Sequence, residues 1–363
     1  MIFNFVTWTC RPELISINEF HASPNMLLLG ILICLVWGIV DYVRSSKALK
    51  KWKAEGSKPD DKPEAWSATS MASIIGILLL TVRLNNPDGI DIGPINIRWY
   101  GLMFVIGFTL GYWILHRMFR HEGAPEDWLS TLLIYVFTAT IIGARLGHCL
   151  FYEWDYYSAH PAEIIAIWQG GLASHGGTIG IIIAVLIYSK VVTKRPALWT
   201  FDRLCVPVAL VACLIRMGNL FNSEIFGHAT SLPWGFKFPL SNEWQALYGP
   251  DLACHPTQLY EGGVYLILFV LLTWLYWKKN SQERPGLLLG IFFIGIFLSR
   301  LFIEFVKNPQ VAFEQNMTLN MGQWLSIPFI IAGMILIYRA LKRPRQRLNY
   351  PNKFPDPKAL KKK

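Results

Sequence analysis

Long apolar stretches separated by short polar segments run through most of the chain. Nine of them approach the about 17 to 25 residues that a helix needs to cross a hydrocarbon core of about 30 Å. They lie near residues 26–43, 67–83, 99–115, 128–144, 172–191, 204–220, 263–277, 287–305 and 323–338. The second is the weakest, because its strongly apolar part, MASIIGILLLTV, is short. The pattern predicts an all-α, polytopic transmembrane helical bundle.

Positive charges fall after every odd-numbered stretch. The segments are RSSKALKKWK, HRMFR, KVVTKR, KKNSQERP and RALKRPRQR. Cytoplasmic loops of membrane proteins carry an excess of Lys and Arg, so these segments are expected on the cytoplasmic side. Nine spans with the N-terminus outside and the C-terminus cytoplasmic satisfy this rule. Each crossing reverses the side of the membrane, so the alternation holds only if the first two stretches both span it or neither does.

Composition supports a membrane protein and excludes other classes. The 363 residues are 53% hydrophobic and only 16% charged, with a formal net charge of +10. Because the basic residues sit in short loops, we expect an anionic membrane face as their partner and no nucleic acid. The six cysteines show no CxxC spacing. The sequence therefore indicates neither a metal site nor a disulfide framework.

The even-numbered exits share the other side of the membrane, and unusual polar residues gather there. Arg145, Arg216 and Arg300 lie at or inside span ends. An arginine at the bilayer centre costs roughly 2.5 to 3.5 kcal/mol, so each needs water, a carboxylate or a bound anion. The candidate carboxylates are Glu224, Glu261 and Glu304.

The arginines differ in how strongly their surroundings indicate a site. Glu304 stands four residues after Arg300, so the two are either a structural ion pair or part of a functional group. Arg145 is close to the interface, which favours a structural role. Arg216 opens RMGNLFNSEIFG, where glycines and polar side chains are dense. That density favours a binding site around Arg216.

Two histidine-bearing stretches lie on the same side. In GGLASHGGTIG, His175 begins the fifth span beside two glycines. Exposed backbone N–H groups there would favour an anion, whereas the alternative is an interfacial histidine with glycines that allow tight helix packing. In CHPTQLYEGG, His255 and Tyr260 precede the seventh span and are either interfacial anchors or site residues. Tyr100 would by default belong to an aromatic belt.

Taken together, seven ordered motifs between about Ile92 and Tyr338 resemble the bacterial prolipoprotein diacylglyceryl transferases. They are WYGLM, GARLGHCLFY, GGLASHGGTIG, RMGNLFNSEIFG, HPTQLYE, SRLFIEF and MGQWLSIP. The resemblance implies an enzyme of the bacterial cytoplasmic (inner) membrane with a seven-helix core. Such an enzyme moves the diacylglyceryl group of phosphatidylglycerol onto the lipobox cysteine thiol of a prolipoprotein signal peptide. It forms a thioether and releases glycerol 1-phosphate, with no metal and no cofactor.

The resemblance and the chemistry of the implied reaction together suggest roles for residues. Arg216 and Arg300 would hold the departing phosphate, with Arg145 and Gly227 in the phosphatidylglycerol-binding set. His175 would take the thiol proton, although Glu261, His255 or a thiolate formed near the arginines stay open as alternatives. Orienting roles at the site fall to Tyr100, Asn219, Glu224 and Glu304, with His255 and Tyr260 as secondary candidates.

The sequence divides into three parts. Residues 1–91 form an extension with one or two extra spans and a basic cytoplasmic linker, residues 92–341 the catalytic core, and residues 342–363 a basic, disordered cytoplasmic tail. The loop 228–254 is aromatic and polar and is the candidate for docking the signal peptide. One departure from the family pattern is Ile296, four residues before Arg300, where many members carry tyrosine.

Two other classes of membrane protein share some of these features. A secondary transporter could also use buried Arg and Glu beside glycine-broken spans. Against it stand the lack of an evident inverted repeat and the clustering of polar residues on one side. An intramembrane serine protease would need a nucleophilic serine in a GxSx setting, and the sequence has none that fits.

Overall fold

The computed structural model describes residues 5–17, 20–54, 67–85, 90–92, 95–167, 170–308 and 318–346. Its contacts divide the chain into two compact units. One unit combines the described residues up to Pro12 with those from Trp99 onward, and the other runs from Glu13 to Arg98. Residues 55–66 of the predicted linker and 347–363 of the predicted tail lie outside the described residues.

Helices account for most of the described chain. Each of the nine apolar stretches predicted from the sequence coincides with a helix, and two short helices, α5 and α8, lie between them. Their bounds are α1 Pro24–Ala54, α2 Ser67–Asn85, α3 Trp99–Glu122, α4 Glu126–Phe151, α5 Trp154–Ala159, α6 Ser174–Tyr188, α7 Ala197–Phe221, α8 Asn242–Tyr248, α9 Thr257–Lys279, α10 Leu287–Ile303 and α11 Met321–Lys342.

Seven of the described helices are long and apolar enough to cross a membrane: α1, α3, α4, α6, α7, α9 and α11. The apolar parts of α2 and α10, Met71–Leu84 and Leu287–Ile303, are shorter. The prediction of a polytopic helical membrane protein is therefore confirmed. α1 extends beyond its predicted span, because the basic segment after residue 43 continues as helix to Ala54.

Short strands connect the helices. In the unit from Glu13 to Arg98, β2 (Glu13–Ile17) pairs antiparallel with β5 (Ile95–Arg98), and β3 (Phe20–Ala22) pairs antiparallel with β4 (Ile90–Ile92). In the other unit, β1 (Val6–Thr7) pairs parallel with β6 (Phe236–Lys237), with Val6 opposite Phe236. This pairing ties the start of the chain to the loop 228–254.

Glycines allow α4 and α6 to pack backbone to backbone. A Cβ atom on Gly147 would stand 2.6 Å from the Cα of Gly176, and one on Gly143 would stand 3.1 Å from the Cα of Gly180. No side chain fits at such distances. The glycine after His175 is therefore required by helix packing, as one of the two sequence interpretations held.

A buried polar network fixes one end of α7. Arg203 donates from Nε and Nη2 to the carboxylate of Glu122 at 2.9 and 2.8 Å, and Tyr276 donates to the same carboxylate at 2.7 Å. Asp202 accepts from the backbone N–H groups of Gly286 and Leu289, where α10 begins. Four helices are thereby joined at one end of the bundle, and Arg216 lies near the opposite end of α7.

Candidate active site

Arg216 stands in the last turns of α7 and contacts the first turn of α9. Its Nε forms an ion pair with Glu261, whose side chain is 1% exposed. Its Nη1 donates to the Oδ1 of Asn219 at 3.0 Å. Arg216 itself keeps 20% of its side chain exposed. The guanidinium is therefore held on two sides and retains an open side.

Lys307 connects this pair to the end of α10. Its Nζ lies 3.5 Å from Oε1 of Glu261 and 3.4 Å from Oε1 of Glu304. The Lys307 side chain is only 3% exposed. Glu261 has no hydrogen-bond partner of good geometry among the described residues. The ion pairs with Arg216 and Lys307 therefore compensate the cost of burying its charge. Sequence reasoning did not select Lys307.

Arg300 completes the row of charges. Its Nε lies 3.3 Å from Oε1 of Glu304, the pair expected from their spacing of four residues. Asn320, the N-cap residue of α11, donates to the other oxygen of Glu304 at 3.0 Å. Arg300 keeps 36% of its side chain exposed. The row of charges thus consists of Arg216, Glu261, Lys307, Glu304 and Arg300. Three cations and two carboxylates leave one positive charge in excess.

Glu224 supports Arg216 indirectly. Its Oε1 accepts from the side-chain amides of Asn219 at 2.8 Å and Asn222 at 3.2 Å. The backbone carbonyl of Glu224 accepts from Gln258 at 2.6 Å. These bonds turn the Oδ1 of Asn219 toward Arg216, as expected for residues that orient the guanidinium.

Two tyrosines face the arginines. A Cβ on Gly218 would stand 2.7 Å from the ring of Tyr100, so glycine is needed for Tyr100 to pack beside Arg216 and Asn219. Tyr265, a buried residue, lies near both Arg216 and Arg300. Ile296, which stands where many family members carry tyrosine, packs against an apolar cluster. Tyr265 stands four residues after Glu261, so helical spacing from Glu261 could have identified it.

Gly227 positions the segment that carries Lys307. It forms an antiparallel bridge with Lys307, and its N–H donates to the carbonyl of His255 at 2.8 Å. A Cβ there would stand 2.9 Å from that of His255. Gly227 therefore acts through backbone approach.

Arg145 is separate from this row. Its guanidinium donates to the backbone carbonyls of Glu163, Ile164 and Gly170 at 2.7 to 2.9 Å and stacks over the Tyr157 ring. Arg145 is 3% exposed. These contacts favour the structural interpretation, in which Arg145 holds the chain between α4 and α6.

The two candidate histidines have different surroundings. His175, the second residue of α6, is exposed and has no polar partner among the described residues. His255 hydrogen-bonds through Nδ1 to the hydroxyl of Tyr260 at 3.1 Å, and Trp234 donates to that hydroxyl at 3.0 Å. Burial, together with the nearby His228, lowers the pKa of His255. His255 is therefore a neutral imidazole near neutral pH.

Similarity to known proteins adds to this geometry. A family model described as prolipoprotein diacylglyceryl transferase matches residues 87–339. Relatives named phosphatidylglycerol-prolipoprotein diacylglyceryl transferase occur in three bacteria. The relative from Porphyromonas gingivalis is 54% identical over 68% of this chain and 90% of its own length. The relative from Chloroherpeton thalassium is 46% identical over 71% of this chain and 93% of its own length, and that from Tolumonas auensis is 43% identical over 71% and 96%.

A multi-pass helical bundle with a partly open row of buried charges at its helix ends defines a polytopic membrane protein with a charged site. More particularly, the chain belongs to the prolipoprotein diacylglyceryl transferase family and is a transferase. The transporter alternative is thereby rejected. The family resemblance derived from the seven motifs is confirmed.

Proposed function

We propose that this chain transfers the diacylglyceryl group of phosphatidylglycerol to the lipobox cysteine thiol of a prolipoprotein. The relatives carry both substrates in their name. The single observation that carries the proposal for this chain is the row from Arg216 to Arg300 through Glu261, Lys307 and Glu304. Its one excess positive charge suits a phosphodiester, which bears one negative charge.

The chemistry requires charge to be stabilised at the leaving phosphate. The cysteine sulfur forms a bond to the terminal glycerol carbon of the diacylglyceryl group, while the bond from that carbon to the phosphate oxygen breaks. The electron pair leaves with glycerol 1-phosphate. Arg216 and Arg300 keep open sides, and a guanidinium offers planar donors that match phosphate oxygens. Fixed donors aimed at developing charge lower the barrier to such a step.

The thiol proton goes to a base, and His175 is the group we assign. It is exposed at a helix start and has no competing polar partner in the part of the chain that the structure describes. Glu261 is less suited, since protonation would break its ion pairs with Arg216 and Lys307. His255 is the second candidate, because it is neutral but already bonded to Tyr260.

The signal peptide would dock on the loop 228–254. Apolar side chains of this loop are exposed, among them Trp234, Leu240 and Leu247. Trp234 also bonds to Tyr260, one residue before Glu261, so the loop reaches the row of charges. An apolar surface of this kind suits the apolar region of a signal peptide.

The family and the distribution of charge support a proposal for the cellular setting. We place the chain in the bacterial inner membrane, with the N-terminus outside and the C-terminus cytoplasmic, because basic segments follow the odd-numbered spans. The row of charges then faces the outer leaflet. We assign the catalytic core to helices α3 to α11, which run from Trp99 to Lys342 and correspond to the predicted core of residues 92–341, and the family match from 87 to 339 supports this assignment.

The test uses purified full-length protein with labelled phosphatidylglycerol and a lipobox peptide. We expect Arg216→Ala to lower transfer by about 10³-fold, the scale of losing a principal electrostatic donor, and His175→Ala to lower it by about 10²-fold. Arg339→Ala, at an exposed arginine near the end of α11, is the matched control and should keep normal activity. Unchanged transfer in Arg216→Ala would refute the phosphate clamp.

A further inference from the structure

Two cavities lie between α3 and α9, away from the row of charges. One has a volume of about 820 Å³ and is lined by Trp113, His116, Arg117, Arg120, His121 and Trp277. The other, of about 330 Å³, is lined by Trp113, Ile114, Arg117, Phe269, Thr273 and Trp277. Three residues line both cavities, so the two spaces adjoin. Their lining residues lie in the second halves of α3 and α9, whereas Tyr100 and Glu261 lie in the first halves.

The larger cavity is built to attract an anion. Two arginines and two histidines line it, and no carboxylate is among its described lining residues. Arg117 stacks over Trp113 at 4.7 Å, and the ring of His121 lies 4.7 Å from that of Trp277. Stacking on aromatic rings holds cationic side chains in place while their polar edges stay accessible.

The nearest acidic residue along the chain does not cancel this charge. Glu122 directly follows His121, but its carboxylate accepts two hydrogen bonds from Arg203 and one from Tyr276. Arg203 is 1% exposed, so this pair is closed off inside the bundle. The positive charge of Arg117 and Arg120 therefore stays available at the surface.

The smaller cavity is mostly apolar and continues from the charged one. Ile114 and Phe269 supply its walls. The hydroxyl of Thr273 is buried there without a hydrogen-bond partner in the described part of the chain. A buried hydroxyl without a partner is unfavourable, and an ester or glycerol oxygen would supply one. Ile267 and Val270, which lie before and after Phe269 in α9, are exposed as membrane-facing residues are.

We propose that these two cavities form a second lipid site, distinct from the transferase site, which binds an anionic phospholipid. The phosphate lies against Arg117 and Arg120, and the start of an acyl chain lies along Ile114 and Phe269 beside Thr273. A free phosphate shares the headgroup chemistry but leaves the apolar cavity unfilled. A phospholipid matches both cavities and is present at high concentration around membrane-facing helices.

The experiment reconstitutes the full chain in phosphatidylcholine vesicles that contain a small fraction of photoactivatable phosphatidylglycerol. Cross-links are then mapped to the peptides that contain residues 113–121 and 269–277. Each arginine near a membrane surface contributes on the order of fivefold in anionic lipid binding. We therefore expect Arg117→Gln with Arg120→Gln to reduce these cross-links about 25-fold. Arg117→Lys with Arg120→Lys should restore most of them.

The matched control removes two exposed charges that line neither cavity, with Lys190→Gln and Lys194→Gln. This variant should label as the unchanged protein does. Equal labelling in the Arg→Gln variant, or equal labelling by a photoactivatable phosphatidylcholine, would overturn the proposal. Displacement of the lipid by inorganic phosphate, with ionic strength matched by sodium chloride, would overturn it in favour of a free-phosphate site. Cross-links near Arg216 report separately on the transferase site.

Discussion

At the scale of single residues, the charged groups that sequence reasoning found are those with a local signal. Glu304 was paired with Arg300 from their spacing, and the dense polar stretch after Arg216 marked that residue. Lys307 carries no such signal, because a lysine just after an apolar stretch usually reaches water. Its burial depends on Gly227, a residue far away in sequence that pairs with it. The hydrogen bonds of Arg145 could not be predicted either, because they go to backbone carbonyls, which every residue has.

Lys307 should be a positioning residue whose loss separates the two arginines. Lys307→Met leaves Glu261 and Glu304 each with one cation fewer at a buried position. Breaking a buried ion pair costs about 3 to 5 kcal/mol, and here each carboxylate keeps another partner, so we expect the free energy of unfolding to fall by about 3 kcal/mol. Transfer should fall at least tenfold, with a raised KM for phosphatidylglycerol.

Thermal unfolding in detergent and steady-state kinetics measure the two effects of Lys307→Met. Lys307→Arg keeps the charge and should recover most of the activity. Lys190→Met removes an exposed lysine and should change the free energy of unfolding by less than about 0.5 kcal/mol. If Lys307→Met kept the normal KM and stability, the row of charges would not depend on Lys307.

His255 should make stability depend on pH. Burial and His228 lower its pKa in the folded protein below the usual value near 6.5. The unfolded chain then binds the proton first as pH falls, so the contribution of His255 is fully present above pH about 6.5 and is lost as pH falls through the folded pKa. The unfolding temperature of the unchanged protein should drop across this window more than that of His255→Gln. Parallel curves for the two proteins would contradict this assignment.

At the scale of helices, the hydropathy pattern identified the nine long apolar helices of the described residues, because only helices and closed barrels satisfy the backbone in lipid. It could not fix their ends. α1 continues to Ala54 since residues such as Lys, Ala and Leu favour helix in water as well as in lipid. The pattern also could not say which helices touch. The contact of α4 with α6 depends on glycines, whose absence of a side chain gives no periodic signal.

The α4–α6 contact should fail when one glycine gains a methyl group. Gly147→Ala would put a Cβ 2.6 Å from the Cα of Gly176, so the helices must separate. We expect the free energy of unfolding to fall by about 1 to 3 kcal/mol, the usual cost of overpacking. Gly263→Ala is the matched control, because nothing lies within 4 Å of a Cβ at that helical position. It should be neutral or stabilising by up to about 1 kcal/mol, and thermal unfolding of both variants provides the test.

At the scale of the whole molecule, the predicted N-terminal extension, residues 1–91, does not form one separate unit. The described residues up to Pro12 belong to the same compact unit as those from Trp99 onward. Trp8 lies 5.8 Å from Phe221 and 6.2 Å from Phe236, between ring centroids, and joins the apolar cluster under the loop 228–254. Sequence alone offered no reason to separate these first residues from the spans that follow them. We propose that the segment from Glu13 to Arg98 is an insertion, in the order of the chain, within the compact unit that carries helices α3 to α11.

This arrangement predicts that the insertion can be excised while the first residues cannot. The N–H of Trp99 donates to the carbonyl of Pro12 at 3.0 Å, so a short Gly-Ser linker can join the two positions. Removal of α1 and α2 together also keeps the orientation of the later spans, because two crossings leave at once. We expect the excised chain to insert into the membrane and to retain transfer activity within about threefold. Further deletion of the residues through Pro12 removes β1 and Trp8 from the loop 228–254. That deletion should therefore lower transfer to a lipobox peptide. Both chains would be assayed in vesicles with labelled phosphatidylglycerol, and equal activity of the two would show that the first residues are dispensable for the catalytic unit.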